Sequence, residues 1–546
     1  MFEPSLTHPY GSGSRGDRGP VRAQPPSRSQ RTRRAGRRRG WLAAVLAAEL
    51  LSAGSGRGSG HTQSAPAAAP PTAAPAQSKT APSTLLSAAD EIARQVAALR
   101  GLPQTTPVAR GVLSRAEIGA KLRERIAKDY SPQEVQVESA VLKRMGLLPA
   151  DADYEKLLFD LLTEQVAGFY DPYKKTLYIA DWLPLDMQRP ALAHEIEHTL
   201  QDQHFDLKRF SQPFKEDGDR QLARSAVVEG DGTALMLEFA ARAMNLDTTK
   251  MPQMIARLGK QMMQMSMAAT PALQQAPLVL RESLVFPYVA GLEFVIAHRA
   301  NQPWSRIDEV FKDPPDSTEQ IIHPEKYEQR ERPVAITAQP LTTLAAAGYK
   351  DVRRDVLGEM LFRVWFTDRI SEAAAAQAAA GWGGDRLVAY STPGEALPAV
   401  IVLSAWDTEL DADEAEQAVR KVILGLTTPG PAAGVHAGKE AAKILKDPPK
   451  GKPAAHEPAQ SARGDGSGLL TRALGGRGFA VMRRGRLVAI VCGVPQGRES
   501  AVASEVLRTW QVSWTSQAPA AAPSAAPQAP PAAPTSPTIN PPAGHP

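Results

Sequence analysis

Apolar residues fall at three- and four-residue intervals through TLLSAADEIARQVAALRGL (84–102) and LSRAEIGAKLRERIAKDY (113–130). That spacing lines one face of an α-helix, and Ser114 followed by Glu117 supplies a capping box to the second segment. The pattern changes in VAGFYDPYKKTLYIADWLP (166–184), where two β-rich pieces flank DPYKK and predict a hairpin followed by a loop. Helical spacing resumes in RPALAHEIEHTLQDQHFDL (189–207), with Pro190 where a helix N1 proline belongs, and in RQLARSAVVEGDGTALMLEFAARAM (220–244). FPYVAGLEFV (286–295) reads as a buried helix and PPDSTEQIIHPEKY (314–327) as a polar loop rich in donors. Two strand–strand–helix units follow. The first is DRLVAY (385–390), PAVIVLSAW (398–406) and DADEAEQAVRKVILGL (411–426); the second is GFAVMRRGRLVAIVCGV (478–494), turning at Arg484-Gly485, and ESAVASEVLRTWQV (499–512). The expected fold class is α+β, with a mainly helical domain and its small hairpin over 84–335 and a smaller α+β domain over 336–515.

Composition changes this picture only at the ends and in one internal stretch. Residues 54–83 and 516–546 are Ala/Pro-rich and too poor in apolar bulk to fold, and 428–468 reads as a mobile loop. The formal charge of +5 is misleading as an average. Residues 1–40 carry ten Arg against Glu3 and Asp17, a net +8, which leaves −3 for everything after them. The basic character thus belongs to a leader (1–53), and the body offers no basis for nucleic-acid binding. RTRRAGRRRG followed by the short apolar WLAAVLAAELLSA (41–53) has the layout of an export signal, and RRGWL (38–42) resembles a twin-arginine signal. The apolar run is too short for a permanent membrane span. The only cysteine is Cys492, so no intrachain disulfide forms. Export without disulfides fits a bacterial periplasmic or secreted protein.

The candidate chemistry lies in the 189–207 helix. His194 and His198, four apart, share one helix face about 5–6 Å apart at Cβ and can aim at one metal ion. Glu195, rotated by ~100°, can reach a water on that ion as a base. With ten His and 58 Asp and Glu in 546 residues, a chance H-E-x-x-H is expected only ~0.02 times. A third ligand is needed, and two candidates exist. His204 would require the chain to reverse at Gln201, a position where a Cβ is costly. Glu229 requires only that the 220–244 helix pack antiparallel, and Ser225, Ala226, Gly232 and Thr233 give it a face small enough to do so. The geometry favours Glu229. Asp202 and Asp231 are candidate partners for the ligands' outer nitrogens.

ALAHEIEHTL (191–200) resembles the extended signature of zincin metallopeptidases, with Glu197 where that signature prefers an uncharged residue. The 220–244 segment resembles the second helix of gluzincins, which supplies a glutamate ligand. QDQHFDL, VAGFYDP and VVEGDGTALM extend the likeness to a branch of exported bacterial zincin-like proteins, over roughly residues 95–410. The resemblance implies a zincin-like fold, a Zn2+ ion on His194, His198 and Glu229, and Glu195 as general base. It also implies a peptide or protein substrate, paired with a sheet edge near KTLYIA (175–180). A His or Tyr donor to the oxyanion is common in such peptidases; His323, Tyr288 and Tyr170 are the candidates, His323 first. Two other readings stand beside this one: a non-catalytic zincin-fold envelope protein that binds partners, and a metal hydrolase of a non-peptide, cell-wall amide.

Overall fold

The computed structural model describes residues 81–164, 168–214, 216–246, 251–300, 302–428 and 469–514. The expected leader (1–53), nearly all of the 54–83 linker, the 428–468 loop beyond its first residue, and the 516–546 tail lie outside these residues. The described residues belong to one compact unit, and the chain adopts the expected α+β class.

Helix α1 (Pro82–Arg100) turns Leu85, Ala89, Ile92, Val96 and Arg100 onto one buried stripe. Strand β1 (Ala109–Leu113) leads to α2 (Arg115–Asp129). The predicted capping box is present: the Ser114 amide donates to Glu117 Oε2 at 2.8 Å, and the Glu117 amide donates to Ser114 Oγ at 3.4 Å. Two further helices, α3 (Pro132–Arg144) and α4 (Tyr154–Glu164), precede the hairpin of β2 (Gly168–Asp171) and β3 (Thr176–Ala180). The sheet order is β1-β3-β2, with β3 parallel to β1 and antiparallel to β2. This corrects one expectation. KTLYIA is the central strand, its hydrogen-bonding groups taken on both sides, so it offers no edge to a substrate.

Helix α5 (Leu185–Phe205) starts five residues before Pro190, which sits inside it and not at N1. Gln188 ties the early start to the strand before it, donating to the Leu183 carbonyl at 2.6 Å and the Ala180 carbonyl at 3.1 Å. So near the helix start, Pro190 forgoes a single backbone bond. Three long helices follow: α6 (Gly218–Ala243), α7 (Pro252–Ala269) and α8 (Leu278–Arg299), then the shorter α9 (Ser305–Lys312). The stretch expected as a polar loop instead forms two short helices, Thr318–Ile322 and Pro324–Glu328. Its polar side chains are buried because they are paired. The Ser317 hydroxyl caps Gln320, and the Thr318 amide donates to Asp219 at 3.1 Å.

The last part of the described chain builds a six-stranded antiparallel sheet. Its strands are β5 (Lys350–Asp355), β6 (Trp382–Ser391), β7 (Ala399–Trp406), β8 (Leu470–Leu474), β9 (Arg477–Arg484) and β10 (Leu487–Pro495), in the order β5-β6-β7-β10-β9-β8. A short pair, β4 (Ala335–Thr337) and β11 (Gln511–Ser513), lies apart from it. Alternation sends Val400 and Val402 to one face, against α10 (Gly358–Thr367), α11 (Glu372–Ala379) and α12 (Glu409–Thr427). Ile401 and Leu403 turn to the other face, against α13 (Glu499–Thr509). One apolar cluster runs from Leu122, Leu142 and Leu158 through Tyr288 to Phe362, Trp365 and Trp406. That cluster spans the expected boundary near 335, while a second lies over 85–327 and a third over 334–510. Among the described residues, no helix is long and apolar enough to cross a membrane.

Candidate metal centre

From Ala191 to Asp202 every α5 side chain is buried, whichever way it points. A helix enclosed on every side must have a partner for each polar group it carries. Its main neighbour, α6, approaches closely through glycine. A Cβ on Gly232 would lie 2.9 Å from His194 Cε1, so the bare backbone there makes room for the imidazole. Gly230 serves the other side of α6. Its Cβ would lie 2.3 Å from the Gly291 backbone of α8, so these two helices touch main chain to main chain.

This packing gathers the predicted donors. His194 Nε2 lies 3.0 Å from Glu229 Oε2, and His198 Nε2 lies 3.7 Å from the same oxygen. The two imidazole rings meet edge to face with centroids 4.6 Å apart. His194, Glu195 and His198 each bring a ligand atom within 4.8 Å of the others. Side-chain exposure is 1% at His194, 4% at His198 and 0% at Glu229. His198 Nε2 and Glu229 Oε1 have no hydrogen-bond partner. Such atoms in a buried place suit a cation. Burial works against charge on His198, but the Glu229 carboxylate more than offsets it and holds the imidazole up to about 10. Burial likewise works against the Glu229 carboxylate, yet the histidines bring it below the usual carboxylate range. Burial and then His198 lower the His194 imidazole, so positive charge at this spot is favoured on His198, beside Glu229.

Behind the histidines lies a chain of polar contacts. His198 Nδ1 meets Gln201 Oε1 at 2.9 Å, and Gln201 Nε2 donates to Asp231 Oδ2 at 2.9 Å. Asp231 is held in turn by Arg100, whose Nε and Nη2 donate to its two oxygens at 3.1 and 3.2 Å. Arg100 Nε also lies 3.2 Å from Glu197 Oε1, and Nη1 donates to Asp308 at 2.7 Å. The charged residue that departs from the zincin signature is thus fully buried and faces a cation from α1. Burial and then Asp231 push the Glu197 carboxyl well up, with Arg100 pulling it back. Sequence reasoning missed Arg100 and Gln201. A signal existed for Arg100, which falls on the apolar stripe of α1 where a charge needs a buried partner.

A domain-family model matches residues 343–441, described as a domain of unknown function, DUF8575. No curated protein and no solved structure matches the chain. The matched stretch begins after every residue of the metal centre and takes in the first strands and helices of the six-stranded sheet.

Helix α5 runs unbroken through Gln201, and His204 Nε2 meets the Pro103 carbonyl at 2.8 Å, apart from the donor cluster. Glu195 Oε2 accepts the Tyr170 amide at 2.9 Å, so strand β2 positions the candidate base. The Tyr170 hydroxyl donates to Asp202 at 2.7 Å, which gives Asp202 a role with β2 and not with His198. Tyr288 stacks on His194 with ring centroids 6.0 Å apart. His323 is not brought to the cluster. Its Nε2 lies 3.0 Å from Glu359 and its Nδ1 3.6 Å from Glu325. A second carboxylate group, Glu319, Glu331 and Asp407, surrounds the Lys326 ammonium at 2.6, 3.1 and 2.6 Å, so an internal cation already fills it.

Proposed function

We propose that this chain is a zinc-dependent hydrolase of the zincin type that cleaves peptide bonds, with His194, His198 and Glu229 as ligands and Glu195 as general base. The observation that carries the reading is the convergence of these donors on one buried spot, with His198 Nε2 and Glu229 Oε1 lacking hydrogen-bond partners. Leaving buried polar atoms bare costs about 1–3 kcal/mol each, which a bound cation would offset. Two imidazoles and one carboxylate suit zinc, and three protein ligands leave a position open, as catalytic sites require. Zinc bound there would polarise a carbonyl and acidify a water. Glu195 would take a proton on its carboxylate and pass it to the leaving amine, oriented by the Tyr170 amide. Tyr288 and the Gly232 backbone would hold the His194 ring plane. Tyr288 replaces His323 as the first candidate oxyanion donor, since it is the one beside a ligand. With β3 interior to its sheet, the preference for a peptide substrate rests on the zincin resemblance. The basic leader supports export to the periplasm or beyond.

Burial favours one second reading. Glu195, like the ligands, is almost entirely enclosed, as in structural metal sites. A non-catalytic zincin-fold protein that uses the ion as a staple would have this feature. One experiment separates the two. Wild type purified without chelator should carry about one zinc per chain and hydrolyse an unfolded protein substrate. Glu195→Gln should keep the zinc and lose at least about 100-fold in rate. Absence of any stoichiometric transition metal would sink both readings, and full activity in Glu195→Gln would remove it as the base.

A further inference from the structure

We propose that Arg100, Asp231 and Gln201 form a positioning relay for the metal centre, which makes α1 part of that centre. The inference rests on the metal-site reading above and adds residues that no part of that reading requires. The geometry is continuous across three helices. Arg100 of α1 fixes both oxygens of Asp231 on α6, at 3.1 and 3.2 Å. Asp231 fixes the amide of Gln201 on α5 at 2.9 Å, and a second bond at 3.2 Å from the same nitrogen to the Val228 carbonyl leaves that amide one orientation. With Nε2 donating to both acceptors, Oε1 must be the atom facing His198 Nδ1 at 2.9 Å. An amide oxygen can only accept, so Nδ1 carries the hydrogen. With an ion in place, that tautomer would leave the Nε2 lone pair free to bind it.

Arg100 does a second job in the same place. Glu197 and Asp231 are both fully buried behind the donors, and a carboxylate there needs a cation beside it. Arg100 lies 3.2 Å from Glu197 and 3.1 Å from Asp231, with its guanidinium 4.9 Å from the Trp304 ring. It offsets carboxylate charge there that would otherwise enter the ion's own balance. Lysine, a point charge without the planar fork, cannot hold both Asp231 oxygens in this way.

The test uses the full chain with zinc and cobalt(II) as probes. Gln201→Met removes the acceptor from His198 while keeping the side-chain volume and the Arg100–Asp231 pair. Zinc affinity, measured by chelator competition, should fall about 10- to 100-fold, and the visible absorption of the cobalt form should shift. Asp231→Asn, which disturbs the relay one step farther out, should weaken zinc less but in the same direction. It serves as the readout if Gln201→Met does not fold by circular dichroism. Gln203→Met is the control: that glutamine sits on the same helix and bonds Thr105 and Thr106, so its loss should leave affinity and spectrum unchanged. Zinc affinity within twofold of wild type and an unaltered cobalt spectrum in both relay variants would overturn the relay alone. A wild type that binds neither metal would overturn the metal-site reading and the relay with it.

Discussion

At the scale of single residues, the site depends on what is missing as much as on what is present. Gly232 has no side chain, and the His194 ring occupies the space that a Cβ would need. Gly232→Ala should therefore displace the imidazole. Helix propensity favours the change by about 1 kcal/mol, so the metal-free protein should not lose a comparable amount of stability. Zinc affinity should drop by about tenfold or more, the scale at which misplaced ligands cost binding. Chelator competition beside thermal melting of the metal-free form checks this, and unchanged affinity would refute the account of Gly232. The third-ligand assignment gives a paired prediction. Glu229→Ala should weaken zinc by more than about tenfold, while His204→Ala, which loses contacts with the Pro103 carbonyl and the Phe205 ring, should bind as wild type does. The reverse order would move the metal onto His204. The histidine pair and Glu195 were legible because helical spacing alone brings them together. Arg100 was not, since the contact that gives it meaning spans 131 residues to Asp231.

At the scale of elements, hydrophobic periodicity located α1, α2, α5, α6, the middle of α8 and the hairpins, but it left α3, α4 and α7 unplaced and did not say how the elements are joined. Helix α5 begins before Pro190 because Gln188 reaches back to the end of β3, a tertiary bond with no local pattern. The 314–327 stretch looked like a loop because its polar residues imply exposure. They are instead buried among partners such as Asp219, ninety-nine residues away from Thr318. The strand order β1-β3-β2 could not be read either, because β1 enters the sheet from a stretch ahead of three helices that the hairpin pattern does not include. The contact between α6 and α8 was half legible. Small residues near Glu229 pointed to close packing, and Gly230 against Gly291 is the point of contact with α8. Gly230→Ala should force the two backbones apart, since the new methyl meets main chain that cannot rotate away. Overpacking of this kind costs about 1–3 kcal/mol or more. The melting temperature of the metal-free protein should fall clearly, in contrast to Gly232→Ala one helical face away. Equal melting temperatures for the two variants would mean that α8 can shift to accommodate the methyl.

At the scale of the whole molecule, the helical part and the sheet are fastened by charge as well as by the shared core. Lys326, from the short helix Pro324–Glu328, ties Glu319 of the short helix before it to Asp407 just after β7. Where α6 begins against the sheet, carboxyl groups are buried with few cations to balance them. Burial raises Asp217 to about 6, against the Arg220 amide and guanidinium and the Arg386 guanidinium, with Asp355 adding to the rise. Burial also raises Asp385 to about 6, despite donors from Leu357, Gly358 and Trp382 and the nearby Arg386. An unfolded aspartate titrates near 3.9. Each of these groups therefore binds its proton more tightly in the folded chain than in the unfolded one. Their contribution to stability is full below about pH 4 and is lost as the pH rises through about 6. A difference of that size between the folded and unfolded chain is worth at most about 3 kcal/mol per group. Over pH 5 to 7.5 this pair should make the protein less stable as the pH rises. Asp385→Asn keeps an oxygen acceptor for the Gly358 amide and the Trp382 indole but has no proton to lose. It should flatten the fall in denaturation midpoint across that range and raise the midpoint at pH 7.5 above that of wild type. Urea unfolding of the metal-free chain at both pH values is the measurement, and a variant whose midpoint falls as steeply as wild type would show that Asp385 is ionised in the fold throughout.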